Sequence, residues 1–247
     1  MIVTDYFVYI HVSRTGGTFL NKLITEHVPG ARMLQYHGHL KDFPAEFSHL
    51  PVIGFVRNPW DWYVSMVADY ARKQQYVFQI LSDRGALDFE ATVKRCLTLG
   101  DDNAASKRLL RQLATVAPRV INARRPARNQ LPGLRSEHFK NYPSGMGYYS
   151  WLFQIMFESV RDHQVHYGRF ENLRAEALRL LEETGAPITN AITAYLTEAK
   201  PLNASPRPAS FIGSYGPDLQ QLVARQDGDL IERFAYEFKE AHECLKN

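Results

Sequence analysis

An α/β fold, with a parallel sheet covered by helices on both faces, is predicted by two observations. The first is a continuous apolar, β-rich run, "YFVYIHV" from Tyr6 to Val12, which suits a strand buried on both faces. The second is alternation: strand-like and helix-like segments take turns along the chain. With 247 residues, 45% of them hydrophobic and 22% charged, the chain reads as one globular domain over 1–247 with a normal core.

The elements follow in order. "TFLNKLITEHV" is a helix stopped by Pro29-Gly30. "RMLQY" (Arg32 to Tyr36) reads as a second, short strand and "PVIGFVR" (Pro51 to Arg57) as a third. "WDWYVSMVADYARKQQYVFQIL" reads as one long helix. From about Asp83 to Asn141 the chain is polar, basic and mostly helical, an insert with turns at Gly85, Gly100 and Pro118 and a mobile loop expected over Ala123 to Arg135. "YYSWLFQIMF" is an apolar helix and "HQVHYGRF" a further strand. "NLRAEALRLLEETGAP" is a helix with Asn172 near its N-cap and Gly185 past its end. "GPDLQQLVARQDGDLIERFAYEF" closes the chain as a helical stretch.

Composition excludes several classes. A formal charge of +3 and a pI of about 8.8 are too mild to argue for nucleic acid. Cys96 and Cys244 form neither a disulfide framework nor a zinc site, so a reducing cytoplasm is expected. The first residues lack a signal-peptide pattern, and no apolar run approaches a membrane span. Asn203-Ala204-Ser205 matches a glycosylation acceptor, read as coincidence with Pro206 following.

The chemistry gathers at "YIHVSRTGGTFLNKLI" (Tyr9 to Ile24). A strand turns through two glycines into a helix, and the amides of a helix N-terminus bind anions. Gly16 and Gly17 let the backbone wrap closely, Thr15 and Thr18 supply hydroxyls, and Arg14 supplies a fixed cation. The Gly-Lys-Ser/Thr of a nucleotide hydrolase is missing, and the strand of Pro51 to Arg57 ends in arginine where a metal-binding Asp would stand. "FVRNPWDWYVS" puts Arg57 at the C-terminal end of its strand and Ser65 eight residues on, within the next helix. Ligands bind beyond those strand ends, so two anion sites share one crevice. The plainer alternative pairs Arg57 with a structural carboxylate and leaves Ser65 on a helix surface.

Together these residues resemble the sulfotransferases. "HVSRTGGTFL" is similar to their 5′-phosphosulfate loop, H-x-P-K-T-G-G-T, and "VRNPWDWYVS" to their 3′-phosphate motif, R-x-P-x-x-x-x-x-S. "HYGRFENLRAEALRLLEETGAP" and "NASPRP" resemble later segments of bacterial, carbohydrate-sulfotransferase-like members. The resemblance spans the chain except Asp83 to Asn141. It implies a P-loop-NTPase-like fold and the donor 3′-phosphoadenosine-5′-phosphosulfate (PAPS), with adenosine 3′,5′-bisphosphate as product and no metal. It further implies that Arg14, Thr15, Gly16, Gly17 and Thr18 hold the 5′ side, Arg57 and Ser65 the 3′-phosphate, and that Arg207 joins them. Ser13 stands where the family has proline and Arg14 where it has the lysine that steadies the leaving oxygen.

A base for the acceptor hydroxyl remains to be found. His37 and His39 in "LQYHGHLKDF" leave the sheet at the donor edge, and histidine suits this proton. His39 aligns best with the catalytic histidine of the resembling carbohydrate sulfotransferases; His37 is second and Glu171 the reserve. His11 reads as structural, and His49 lies before its strand, at the opposite edge. Within the insert the stretch from Lys107 to Lys140 is basic, and Glu137 is the only acid between those two lysines. It reads as a solvated surface or as a flap favouring an anionic acceptor. Tyr148, Tyr149 and Trp151 either line an acceptor pocket or belong to the core. Alternatives to a sulfotransferase are a non-catalytic binder of the same nucleotide and a P-loop-type phosphotransferase. Acceptor identity and oligomeric state are not encoded in any motif.

Overall fold

In the computed structural model, residues 1–119, 133–157, 164–202, 208 and 210–239 are described. The strands are β1 (Ile2–Val3), β2 (Val8–Ile10), β3 (Arg32–Met33), β4 (Val52–Val56) and β5 (Val165–Arg169), in the sheet order β3-β1-β2-β4-β5. The helices, in chain order, are α1 (Gly17–His27), α2 (Pro59–Arg72), α3 (Tyr76–Leu81), α4 (Phe89–Leu97), α5 (Ala104–Val116), α6 (Ser136–Lys140), α7 (Tyr148–Phe157), α8 (Leu173–Glu183), α9 (Asn190–Glu198), α10 (Pro217–Gln226) and α11 (Gly228–Arg233). The class is α/β, as expected.

The sheet is mixed rather than parallel. β2, β4 and β5 run parallel, but β1 pairs antiparallel with both β2 and β3. The cause is the tight turn at Thr4–Phe7: the Thr4 hydroxyl oxygen accepts from the Tyr6 and Phe7 amides, and a connection that short allows only antiparallel pairing. The second expected strand shrinks to Arg32–Met33, because the Leu34 and Gln35 amides both turn onto the Met1 carbonyl.

Alternation along the central strands feeds two cores. Val8, Ile10, Val52 and Val56 face a large cluster that includes Trp62, Tyr63, Tyr148, Tyr149 and Leu152. Tyr9, Ile53 and Phe55 face a smaller cluster built with Phe19, Leu23, Leu180 and Ile192. Helices therefore cover both faces of the sheet. Tyr148, Tyr149 and Trp151 are core residues.

The long helix expected from Trp60 to Leu81 is two helices. Gln74 takes a left-handed φ of 52°, its amide bonds the Ala71 carbonyl, and the Gln75 amide bonds the Tyr70 carbonyl. This is a Schellman turn closed without glycine. The last helical stretch likewise breaks at Asp227, between α10 and α11. Within the insert α4, α5 and α6 are helical; the expected mobile loop falls almost wholly outside the described residues. Among the described residues no helix is long and apolar enough to cross a membrane.

Asp227 is fully buried, and burial pushes its carboxyl up to about 6. Its Oδ1 accepts from the Ser150 amide and its Oδ2 from the Tyr63 hydroxyl, both at 2.8 Å. A carboxyl whose folded pKa is raised contributes most in acid, and that contribution fades as pH rises through about 6. The Tyr63 bond opposes this loss by stabilising the ionised form. Tyr63→Phe is therefore expected to cost about 1.5–3 kcal/mol at pH 8 and distinctly less at pH 5, read by urea unfolding at the two pH values.

Candidate functional site

The loop between β2 and α1 is held in an unusual backbone. Gly16 and Arg14 are both left-handed, at φ 81° and 68°. Glycine adopts this freely, whereas for arginine it costs about 1–2 kcal/mol. Contacts on both sides of Arg14 hold it there. Its carbonyl accepts from Arg57 Nη1 at 3.0 Å. Its guanidinium donates to Ser65 Oγ from Nε at 3.0 Å and from Nη2 at 2.9 Å, and pairs with Asp69 Oδ2 at 3.0 Å. Ser13 is fixed from α2: its carbonyl accepts from Trp62 Nε1 at 2.8 Å and its hydroxyl lies 3.2 Å from Tyr70 Oη.

Gly17 is required for a different reason. A methyl group there would lie 1.7 Å from His11 Nε2, because the imidazole already occupies that space. Thr15 is fully buried and donates its hydroxyl hydrogen to the Val12 carbonyl at 2.9 Å, closing the loop from within. Thr18 is only partly buried. No side chain caps α1.

Arg57, 2% exposed, binds three elements together. Nε and Nη2 grip Asp61 Oδ2 at 2.8 and 2.7 Å, and Cζ sits 4.0 Å from the Phe170 ring centroid. Its amide donates to the Tyr149 hydroxyl at 2.9 Å. The carboxylate pairing considered from sequence is thus present, with Asp61. Ser65, by contrast, is not on the helix surface: it is 1% exposed and receives Arg14. Asn58 caps α2, accepting from the Trp60 amide, with Pro59 at the first helical position. Glu171 binds the start of this helix through the Asn58 amide at 2.6 Å and accepts from Tyr236 at 3.2 Å. Burial raises its carboxyl pKa.

The two candidate histidines are placed differently. His37, left-handed at φ 52°, donates Nδ1–H to the His11 carbonyl at 2.8 Å and lies against the His11 ring at 4.1 Å between centroids. It therefore borders the loop. His39 bonds the Gly133 carbonyl through Nε2 and packs 5.0 Å from the His138 ring, toward α6. Its Nδ1 is buried without a partner among the described residues. Burial is the main force lowering both, each to about 3; Lys73 adds to the effect on His37, and His138 and Arg135 to that on His39. His11 is lowered too, by burial and then by His37.

Sequence reasoning missed Asp69 and Lys73, although Ser65, Asp69 and Lys73 recur every four residues along one helix face. Asp69 is buried and collects Arg14, Arg72 and Lys73. Burial works against its ionised form, but these cations outweigh it and lower the pKa. It also missed Asp227, because the polar run "RQDGD" around it gives no sign that this carboxyl is buried. Of the insert's basic residues, Lys107 and Arg135 pair with Asp102 and Asp42. Arg108, Arg111 and Lys140 are exposed. Arg124, Arg125 and Arg128 lie outside the described residues, as does Arg207. Among the described residues no group of three or more His, Cys, Asp or Glu is arranged for a metal ion.

No family model matches the chain, and no curated protein matches it.

The fit between His11 and residue 17 gives a direct test. Gly17→Ala is expected to destabilise by about 1–3 kcal/mol through overpacking. In a His11→Ala background, where the ring is gone, the same change should be close to neutral. Denaturant unfolding of the four proteins measures the coupling, and equal costs in both backgrounds would mean the imidazole is not what demands glycine.

Proposed function

We propose that this chain is a PAPS-dependent sulfotransferase of P-loop-like architecture, acting on a hydroxyl acceptor. One observation carries the reading: the loop and the Arg57–Ser65 segment, read separately from sequence, meet through the Arg57–Arg14 carbonyl bond and the Arg14–Ser65 bonds. Three features support the donor reading. A helix N-terminus without a side-chain cap, flanked by Arg14, offers positive potential to a phosphosulfate group. Gly16, Gly17, Thr18 and Arg14 would hold the 5′ side, with Thr15 shaping the loop from inside; Arg57 and Ser65 would hold the 3′-phosphate. Arg207 belongs to the same proposal from the resemblance alone.

When bound, PAPS supplies the sulfuryl group: the acceptor oxygen bonds to sulfur as the bridging oxygen leaves with its electron pair and the acceptor proton passes to an imidazole. The protein contributes positioning and charge. Arg14 is permanently cationic, so from its fixed place it can stabilise the charge growing on the leaving oxygen. Both His37 and His39 are candidate bases, and the geometry favours His37. Its Nδ1–H is fixed on the His11 carbonyl, which leaves Nε2 as the basic nitrogen beside the loop. An anionic donor nearby raises its basicity, offsetting burial. The same burial favours the second reading, a nucleotide binder without turnover, since an imidazole lowered to about 3 is a weak base in the free protein.

Calorimetry in chelator and a labelled-sulfuryl transfer screen over hydroxyl acceptors test these readings together. Adenosine 3′,5′-bisphosphate is expected to bind without metal and more tightly than ATP or 5′-AMP. His37→Ala should lower turnover by about 10²–10⁴-fold with donor affinity unchanged, while His39→Ala should spare turnover. Preference for ATP would sink the sulfotransferase reading. Tight binding with no transfer to any acceptor would establish the binder.

A further inference from the structure

Asp69 Oδ2 accepts two cations at once, Arg14 Nη1 at 3.0 Å and Lys73 Nζ at 2.8 Å. The two nitrogens are thus separated by no more than two hydrogen-bond lengths, a spacing at which both can grip one tetrahedral oxyanion. Arg72 adds a third cation on Oδ1 at 2.8 Å. The Schellman turn at Gln74 fixes Lys73 as the C-cap of α2, one turn beyond Asp69. Its ammonium is a third exposed, on a flexible stem, and its charge acts on both His11 and His37, which form the floor and wall of the loop. A bland alternative exists: a lysine at a helix C-terminus favours the dipole and an i,i+4 carboxylate without any ligand.

We infer that Lys73 is an anion-binding residue of this site, closing with Arg14 on the 5′-side phosphate or sulfate oxygens, and that Asp69 holds the two cations together until that anion replaces it. The inference rests on the donor reading above for its nucleotide, but the clamp itself needs only an oxyanion. It also accounts for arginine at position 14. A mobile ammonium, absent from the loop, arrives from the end of α2 instead, while the rigid guanidinium stays tied to Ser65.

The test uses the full chain in chelator, with three probes measured by calorimetry: pyrophosphate, adenosine 5′-phosphosulfate and adenosine 3′-monophosphate. Lys73→Met is expected to weaken the first two by about tenfold and leave the third unchanged, and Lys73→Arg to retain most of the affinity. Asp69→Asn, which removes the internal anion, is expected to strengthen pyrophosphate binding severalfold. Thermal melting confirms that each variant is folded. A lower melting temperature with unchanged pyrophosphate affinity in Lys73→Met would reduce Lys73 to a helix cap and overturn the inference. Weaker pyrophosphate binding in folded Asp69→Asn would overturn the displacement. If pyrophosphate binds with this Lys73 dependence but adenosine 3′,5′-bisphosphate does not bind, the clamp stands and the sulfotransferase reading falls. If the bisphosphate binds and Lys73→Met changes nothing, the reverse holds. Wild type that binds none of these ligands overturns both.

Discussion

The Arg57 guanidinium is the joint on which the site turns. Through Asp61 it belongs to α2, through the Arg14 carbonyl to the loop, and through its amide and Tyr149 to α7. Buried charge is costly, and here it is balanced by a carboxylate, a carbonyl and an aromatic face at once. Without it the Arg14 carbonyl would lose its donor, and the left-handed peptide would be held by the side-chain contacts alone. The hydrogen-bond chain continues behind it: the Tyr63 hydroxyl takes the Tyr149 amide and gives its hydrogen to Asp227. The α10–α11 junction is thereby tied to the floor of the site by two aromatic residues.

Charge in this region is organised in two tiers. Arg57 and Asp61 form an inner pair that serves the architecture. Arg14, Lys73 and Arg72 around Asp69 form an outer tier closer to solvent. The distinction matters because breaking the inner pair would strand a buried charge, whereas Lys73 and Arg72 of the outer tier are partly exposed and can meet a further anion.

Much of this was legible in the sequence. The buried strands β2 and β4, the glycine turn into α1, and α8 with Gly185 beyond its end follow from local pattern and chemistry. So does the convergence of Arg57 with the loop, since strand ends share an edge. What escaped depended on single backbone choices. Gln74 ends α2 in a conformation that its side chain does not advertise, and the Thr4 turn converts a parallel sheet into a mixed one in four residues. Arg14 was legible as a cation but not as a partner of Ser65, because side-chain direction in a left-handed residue cannot be read from spacing. The placement of His37 against the loop, and of His39 toward Gly133, likewise rests on where the chain goes after a two-residue strand.

Ser13 occupies the position where the resembling loops carry proline. A pyrrolidine ring stiffens a backbone covalently, at every temperature. Here the same stretch is stiffened by Trp62 on its carbonyl and Tyr70 against its hydroxyl, both contributed by α2. Stiffness of this kind is conditional. Heat or urea acting on the packing of α2 reaches the loop directly, so the loop melts with its neighbouring helix instead of outlasting it.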